Sequence, residues 1–187
     1  MLAALVLVVF GVSNVEAEKE PEWTYETELG YSVAISADGE YIAAINDDKV
    51  YLFHKDDSTP LWNYTAEGTM LTVAISADGE YIAAGSQNDD KVYLFHKDGS
   101  TPLWNYTTGN EPNDHVRSVA ISADGEYIAA GSHDHNVYLF HKNSSTPLWS
   151  YETGSYVSSV AISADGEYIV AGDSSYSTNS ENNVHFF

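Results

Sequence analysis

The side chains with the clearest capacity for chemistry are the histidines, three of which recur at one position. His54, His96 and His141 each follow the tripeptide Tyr-Leu-Phe. An imidazole binds metal ions and changes charge near neutral pH, so three at equivalent positions could form a row on one rim that binds a metal or responds to mild acid. Duplication of a structural unit produces the same recurrence without any function, and we favour that interpretation.

A second histidine cluster occurs once, at His133, Asp134 and His135. Two imidazoles separated by one residue in a hairpin turn can point at a single metal ion. The central aspartate, however, stands where a turn needs an acceptor for backbone N–H groups. We therefore keep the three residues as candidate metal ligands only, and predict that the chain has no tight metal site.

Adjacent aspartates offer hard oxygen ligands for calcium. They occur at 47/48, 56/57 and 89/90. The Asp-x-Asp-x-Asp-Gly spacing of a calcium loop is absent, so we interpret these pairs as solvated turns. Neither a Gly-x-Ser-x-Gly nucleophile elbow nor a phosphate-binding loop is present, and the chain contains no cysteine. The sequence predicts a protein that is not an enzyme and has no cofactor.

Composition narrows the class of partner. The 187 residues include 7 basic and 28 acidic side chains, which gives a formal net charge of −21. Such a charge argues against binding of nucleic acid or of an anionic membrane by electrostatic attraction. With 43% apolar residues the chain can bury a core, and its length suggests one domain.

The first seventeen residues have the features of a secretory signal peptide. Residues 1–12 are apolar, too few to span a bilayer and of the right length for a signal core. Val15 and Ala17 then stand at the −3 and −1 positions of a cleavage site before Glu18. No Lys or Arg precedes the apolar run, so an uncleaved anchor stays open as an alternative. We predict a secreted or extracytoplasmic protein without a later membrane span.

The elements that must position these side chains belong to a repeat. The phrase Val-Ala-Ile-Ser-Ala-Asp-Gly-Glu-Tyr-Ile starts at Val33 and returns at Val73, Val119 and Val160, at spacings of 40, 46 and 41 residues. This period is typical of the blades of a β-propeller. Residues 18–187 are therefore predicted to form one repeat domain.

Each repeat divides into four short β segments, which in the first copy are residues 32–36, 41–44, 50–53 and 60–65. Polar turns containing Gly, Asp or Asn separate them. The second and third segments are apolar at every position, so each sheet must be covered on both faces. We predict an all-β propeller of four-stranded antiparallel blades. One aromatic residue per blade, Tyr51, Tyr93 and Tyr138, is expected to pack between blades rather than to form a binding surface.

The repeats resemble those of the WD40 family. Residues 122–132, Ser-Ala-Asp-Gly-Glu-Tyr-Ile-Ala-Ala-Gly-Ser, are similar to the Ser-Pro-Asp-Gly-x-x-Leu-Ala-Ser-Gly-Ser stretch of a WD40 blade. Asp134, three residues before Val137, matches the aspartate of the WD40 turn that precedes the third strand, and Asp47 and Asp89 stand at the same offset in their copies. The resemblance implies that these three aspartates stabilise turns.

The repeats depart from the WD40 pattern at one pair of residues, and another motif resembles a second family. The Trp-Asp pair that names WD40 repeats is Phe-His here, as at Phe53-His54. Residues 149–154, Trp-Ser-Tyr-Glu-Thr-Gly, instead resemble the Trp-x-x-x-Thr-Gly of quinoprotein-like repeats of the PQQ type. Both resemblances imply a propeller, which is a scaffold with many functions.

Each end of the repeat domain contains an incomplete blade, and the strand present at one end is the strand missing at the other. Residues 21–27 read as a fourth strand with no blade before them, and residues 184–187 as a third strand with no fourth after it. We expect Trp23 and Tyr25 to lie in a strand that pairs with residues 183–187. Three arrangements are open: a closed ring of four blades, a dimer that makes eight blades, and a fragment of a larger propeller.

The function predicted from these features is an exported scaffold that binds a protein or other envelope partner through its loop faces, with a homodimer as an open possibility. Two alternatives remain: a quinone-cofactor or small-molecule enzyme of the quinoprotein-like class, and a structural cell-surface repeat protein. Sequons at Asn63, Asn105 and Asn143 are candidate glycosylation sites for an exported chain.

Overall fold

The computed structural model describes residues 20–27, 32–109, 111, 113–174 and 182–187, and in these ranges it contains fifteen β-strands and no helix. The predicted signal peptide, residues 1–17, lies outside the described residues. None of the described segments is a helix long and apolar enough to cross a bilayer. The strands are β1 (Ser32–Ile35), β2 (Tyr41–Asn46), β3 (Lys49–His54), β4 (Trp62–Thr65), β5 (Thr69–Ile75), β6 (Tyr81–Gln87), β7 (Lys91–His96), β8 (Trp104–Thr107), β9 (Val116–Ile121), β10 (Tyr127–Ser132), β11 (Asn136–His141), β12 (Trp149–Glu152), β13 (Tyr156–Ile162), β14 (Ile169–Ser174) and β15 (Val184–Phe186).

Each repeat forms one antiparallel sheet in which neighbouring strands are also consecutive in sequence. The first sheet is β1–β4, the second β5–β8 and the third β9–β12, and the fourth consists of β13, β14 and β15. Short turns suffice to connect such strands, because antiparallel neighbours need no crossover. The prediction of an all-β fold built from repeated antiparallel sheets is confirmed.

The turn between the first two strands of every sheet is held by a serine and an aspartate. In the first copy the Ser36 hydroxyl donates to Asp38 Oδ1 at 2.6 Å, and Asp38 Oδ1 accepts the Glu40 N–H at 3.0 Å. These bonds hold the pKa of Asp38 below its usual value, the serine hydroxyl contributing most. Gly39 completes the turn with φ +74°, a left-handed conformation that glycine adopts without strain.

Successive copies of this turn are bonded to one another, which fixes the spacing of the sheets. The N–H of Ala37 donates to the carbonyl of Ala77, that of Ala77 to Ala123, and that of Ala123 to Ala164, each at 2.9 Å. The repeated phrase therefore both closes a hairpin and links each sheet to the next.

The core lies between the faces of neighbouring sheets. Every residue of β7 from Val92 to Phe95 is buried, which requires cover on both faces, as the apolar pattern predicts. Tyr93 and Tyr138 are buried between sheets, as predicted, whereas Tyr51 is buried on the outer face of the first sheet, where residues 20–27 cover it in place of a preceding sheet.

A tryptophan on the outer strand joins each sheet to the following one. Trp62 Nε1 donates to the carbonyl of Lys97 at 2.7 Å, and Trp104 Nε1 donates to that of Lys142 at 2.8 Å. Trp23 makes the equivalent bond to Lys55 at 2.6 Å. The segment around Trp23 thus stands in the place of an outer strand that would precede the first sheet.

The four sheets do not close into a ring. Residues 20–27 have no strand conformation and pack on the first sheet, where the ring of Trp23 lies 5.6 Å from that of Phe53. The fourth sheet, in the described chain, ends at β15 without a further strand. The expected pairing of Trp23 and Tyr25 with residues 183–187 is therefore wrong for the single chain. Tertiary packing against Phe53 holds the segment at the opposite end of the stack.

Candidate functional site

The histidine cluster predicted from the sequence lies at the rim of a polar cleft. The cleft has a volume of about 770 Å³ and opens where the second, third and fourth sheets meet. Side chains from three loops and strands line it, including Tyr106, Glu111, Asp114, His133, His135 and Tyr156. A smaller cleft of about 330 Å³ adjoins it and shares Thr107, Gly109 and Glu111.

Asp134 organises the turn that forms one wall of the cleft. Its Oδ1 accepts the N–H of Asn136 at 3.0 Å, and its Oδ2 accepts the hydroxyl of Tyr138. His135, which lies between Asp134 and Asn136 in the sequence, adopts a left-handed φ of +72°. Because Asp134 satisfies both a backbone donor and a buried hydroxyl, it stabilises the turn in the way the WD40 resemblance implies.

Neighbouring loops hold this turn from both sides. The Ser132 hydroxyl donates to the carbonyl of Asp114 at 2.7 Å, and the His133 N–H donates to that of His115 at 2.9 Å. On the other side, the Thr153 N–H donates to the carbonyl of His135 at 2.8 Å. The wall of the cleft is thus tied to the loops that precede the third and fourth sheets.

The two imidazoles of the cluster pack against one tyrosine. The centroid of the Tyr156 ring lies 4.7 Å from that of His133 and 5.1 Å from that of His135. The centroid of the His115 ring lies 5.6 Å from that of His133. These rings form a continuous aromatic surface, which can stack on a planar or apolar group of a ligand.

Burial shifts the pKa of two groups in this wall. Desolvation, followed by the nearby Arg117 guanidinium, lowers the pKa of His133 to about 4, so this imidazole is neutral near pH 7. Burial, followed by the bond to Asp134, raises the pKa of Tyr138, so its hydroxyl stays protonated as a donor. The wall therefore places the neutral His133 ring beside the carboxylates of Glu111 and Asp114.

The candidate metal ligands do not assemble into a coordination site. Among the residues that the structure describes, no three His or carboxylate side chains are grouped so as to hold a metal ion. The Asp134 carboxylate faces Tyr138 and the turn, and both imidazoles face Tyr156. In this geometry the two imidazoles pack against Tyr156, and Asp134 stabilises the turn.

We expect no submicromolar zinc or calcium binding by this turn, because Asp134 is already engaged by two donors. Calorimetric titration of the metal-stripped chain in added salt, which suppresses weak surface binding, is the measurement. Tight binding near one equivalent that His133→Ala or His135→Ala abolishes, and that His54→Ala preserves, would make the turn a metal centre.

Of the other two turn aspartates, Asp89 is placed like Asp134 and Asp47 is not. Asp89 accepts the hydroxyls of Ser86 and Tyr93, so its carboxylate also serves a buried tyrosine. Asp47 lies in a turn that is one residue shorter, has a left-handed φ of +46°, and accepts the Met70 N–H through its backbone carbonyl at 2.6 Å. Equal sequence offset therefore does not give Asp47 the position of Asp89 or Asp134.

The recurring histidines lie on the opposite rim, at the other end of the third strands. Each is paired with a glutamate: His54 with Glu40 at 3.3 Å, His96 with Glu80 at 3.4 Å and His141 with Glu126 at 3.0 Å. A lysine shares each glutamate, as Lys142 shares Glu126 at 2.5 Å. The three imidazoles thus belong to separate, repeated groups, in each of which a lysine forms an ion pair with the same glutamate.

The sequons are all on the surface. Asn63 and Asn105 are exposed on β4 and β8, and Asn143 is exposed in the connection between β11 and β12. Each side chain is accessible to a glycosylating enzyme. Glycosylation itself stays a prediction.

Several residues of the cleft were not singled out by sequence reasoning. Glu111 and Asp114 lie in the connection between β8 and β9, which is longer than its counterparts, and Tyr156 begins the fourth sheet. The 46-residue spacing before Val119 was the available signal, because added loop residues are where a repeat fold varies.

Comparison with known proteins places the chain in a family without assigning an activity. A model described as a family of unknown function (DUF5711) matches residues 11–187. A search of curated proteins finds no match. The WD40-like and quinoprotein-like resemblance accordingly stays a prediction. Since the match covers nearly the whole sequence, the chain belongs to the DUF5711 family.

Proposed function

We propose that this chain is an exported β-propeller of WD40-like or quinoprotein-like repeats, and that it acts as a non-catalytic scaffold. Its partner, a protein or another component of the cell envelope, binds on the loop face that carries the polar cleft. The observation that carries the proposal is the cleft itself, about 770 Å³ in volume and lined by aromatic rings and hydrogen-bonding groups.

The charge of the cleft favours a positively charged segment of the partner. Glu111 and Asp114 line it, Asp90 lies 3.1 Å from His115 at its edge, and the whole chain carries −21. A lysine or arginine would be steered to this face and could stack on the Tyr156 ring. The burial that keeps His133 neutral prevents it from adding an opposing charge at neutral pH.

Selection of peptides from a display library on the purified chain tests this proposal. We expect the selected peptides to be rich in Lys and Arg, and Tyr156→Ala to weaken their binding by about tenfold, since a central aromatic contact contributes more than 1 kcal/mol. Glu111→Gln should weaken binding in low salt, whereas Glu167→Gln, an exposed glutamate outside the cleft, should not.

Binding is measured by fluorescence anisotropy with labelled peptide. Peptides that bind equally well to Tyr156→Ala and to the native chain would place the partner surface elsewhere. Selection of acidic peptides would contradict the electrostatic part of the proposal.

A further inference from the structure

The outer face of the first sheet contains an apolar groove of about 350 Å³, which we call the head groove. Residues 20–27 form one side of it and the first three strands form its floor. Its principal lining residues are Trp23, Tyr25, Val33, Ile42, Tyr51 and Phe53. Val33 is 75% exposed, although the valines at its position in the other three sheets, Val73, Val119 and Val160, are 6 to 7% exposed.

The same groove exists on the second sheet, where it is filled. Its lining there consists of the equivalent residues Trp62, Tyr64, Val73, Ile82, Tyr93 and Phe95. Four side chains from the second and third strands of the preceding sheet occupy it: Ala43, Ile45, Val50 and Leu52. All four are at most 2% exposed. The chain therefore shows that alanine and aliphatic side chains fill a groove of this kind.

The third sheet repeats the arrangement. Its groove includes Trp104, Tyr106 and Phe140, and the second sheet fills it with Ala83, Val92 and Leu94. In each case a small residue of the second strand and two aliphatic residues of the third strand enter the groove together. A surface with this composition and register is thus the natural occupant of the head groove.

An apolar surface at the same register lies uncovered on the fourth sheet, with Val170 in the place of the small residue and Val184 and Phe186 in the places of the two aliphatic residues, and we call it the tail face. Val170 pairs with Phe186 as Ala43 pairs with Leu52, and Gly172 pairs with Val184 as Ile45 pairs with Val50. Val170, Val184 and Phe186 are 38%, 79% and 69% exposed. Their counterparts Ala43, Val50 and Leu52 are fully buried.

We propose that the head groove binds the tail face of a second copy of this chain. The interface would repeat the contact that the chain already makes between its own successive sheets, so its register and apolar character match. Two copies joined through both interfaces make a two-fold symmetric ring of eight sheets, in which neither apolar face is left in water.

The segment at residues 20–27 would take part in this interface. It lies beside the groove in the position of an outer strand, and β15 has no neighbouring strand on its outer edge in the described chain. Bound to the tail face of a partner, the segment can add to the free edge of the partner's β15. The pairing expected between residues 21–27 and 183–187 would then form between chains.

Light scattering of the full chain across a range of concentrations tests the proposal. We expect the mass of two chains, and a tighter dimer in about 0.5 M salt than in low salt, because salt screens the repulsion between two chains of charge −21. A chain that stays monomeric at every concentration and salt would overturn it.

Charge substitutions distinguish a head-to-tail contact from other dimers. Val33→Asp removes the head groove and Phe186→Asp removes the tail face, and each variant alone should be a monomer. Mixed together, they should recover a dimer, because Val33→Asp keeps its tail face and Phe186→Asp keeps its head groove. A mixture that stays monomeric, or a Phe186→Asp chain with the native mass, would overturn the proposal.

A matched control separates the interface from general surface effects. Leu103→Asp charges an apolar side chain that is 52% exposed and belongs to neither face, so it should keep the native mass. Circular dichroism of all three variants should match the native spectrum, since the substituted side chains are solvent-exposed in the single chain. Loss of the dimer in Leu103→Asp would contradict the assigned surface.

Discussion

Replacing Phe95 with alanine should lower the free energy of unfolding by about 3 to 5 kcal/mol, the largest effect expected of any substitution considered. Phe95 is fully buried between the first and second sheets. Its ring lies 5.5 Å from that of Trp62 and 5.2 Å from that of Tyr64. Alanine would remove these contacts and leave a cavity. The two sheets cannot close it, because hydrogen bonds between them fix their separation. Urea unfolding followed by fluorescence measures the change.

The control for this prediction is Leu103→Ala, at an apolar side chain that is 52% exposed. Its free energy of unfolding should stay within about 0.5 kcal/mol of the native value. If Phe95→Ala had an effect as small as Leu103→Ala, the two sheets would not pack through this residue, and the face-to-face arrangement would be wrong.

Asp134→Ala should lower the free energy of unfolding by about 1 to 3 kcal/mol, because it removes the acceptor of two donors at once. The Asn136 N–H and the hydroxyl of the buried Tyr138 would both lose their partner. In a double-mutant cycle, Tyr138→Phe should cost less in the Asp134→Ala chain than in the native chain. Thermal or urea unfolding of the four chains gives the coupling.

Asp57→Ala serves as the comparison for this turn. Asp57 accepts the Thr59 N–H at 2.7 Å in an exposed loop, where water can replace the carboxylate. We expect a change within about 0.5 kcal/mol. Equal losses from Asp134→Ala and Asp57→Ala would show that Asp134 is not a structural acceptor.

Local chemistry made the strands and most turns predictable. The repeated Ser-Ala-Asp-Gly turn satisfies its own donors within five residues, so the hairpin at Ser36 could be read from a single copy. Apolar residues on both faces of the third strand required cover on both sides, and the burial of Tyr93 and Phe95 follows from that pattern.

The candidate site was predictable only in part. His133, Asp134 and His135 were identified because two imidazoles flank a carboxylate. Their partners Tyr156 and Asp114 come from other sheets and connections, where no spacing relates them to the cluster. Asp47 was predicted from its sequence offset to match Asp89 and Asp134. Its turn is one residue shorter, so it occupies a different backbone position.

The sequence by itself determined the repeat, the number and order of strands in each sheet and the residues buried between sheets, since these depend on local periodicity and on turns that bond within themselves. Only the tertiary structure decided where residues 20–27 lie, that the four sheets stay open, and that Val33 and Phe186 are left exposed. These features depend on the angle between whole sheets and on packing outside the repeated unit, such as that of Trp23 on Phe53. Because the four repeats are nearly identical, no local sequence pattern specifies the angle between sheets or the packing of the end segments.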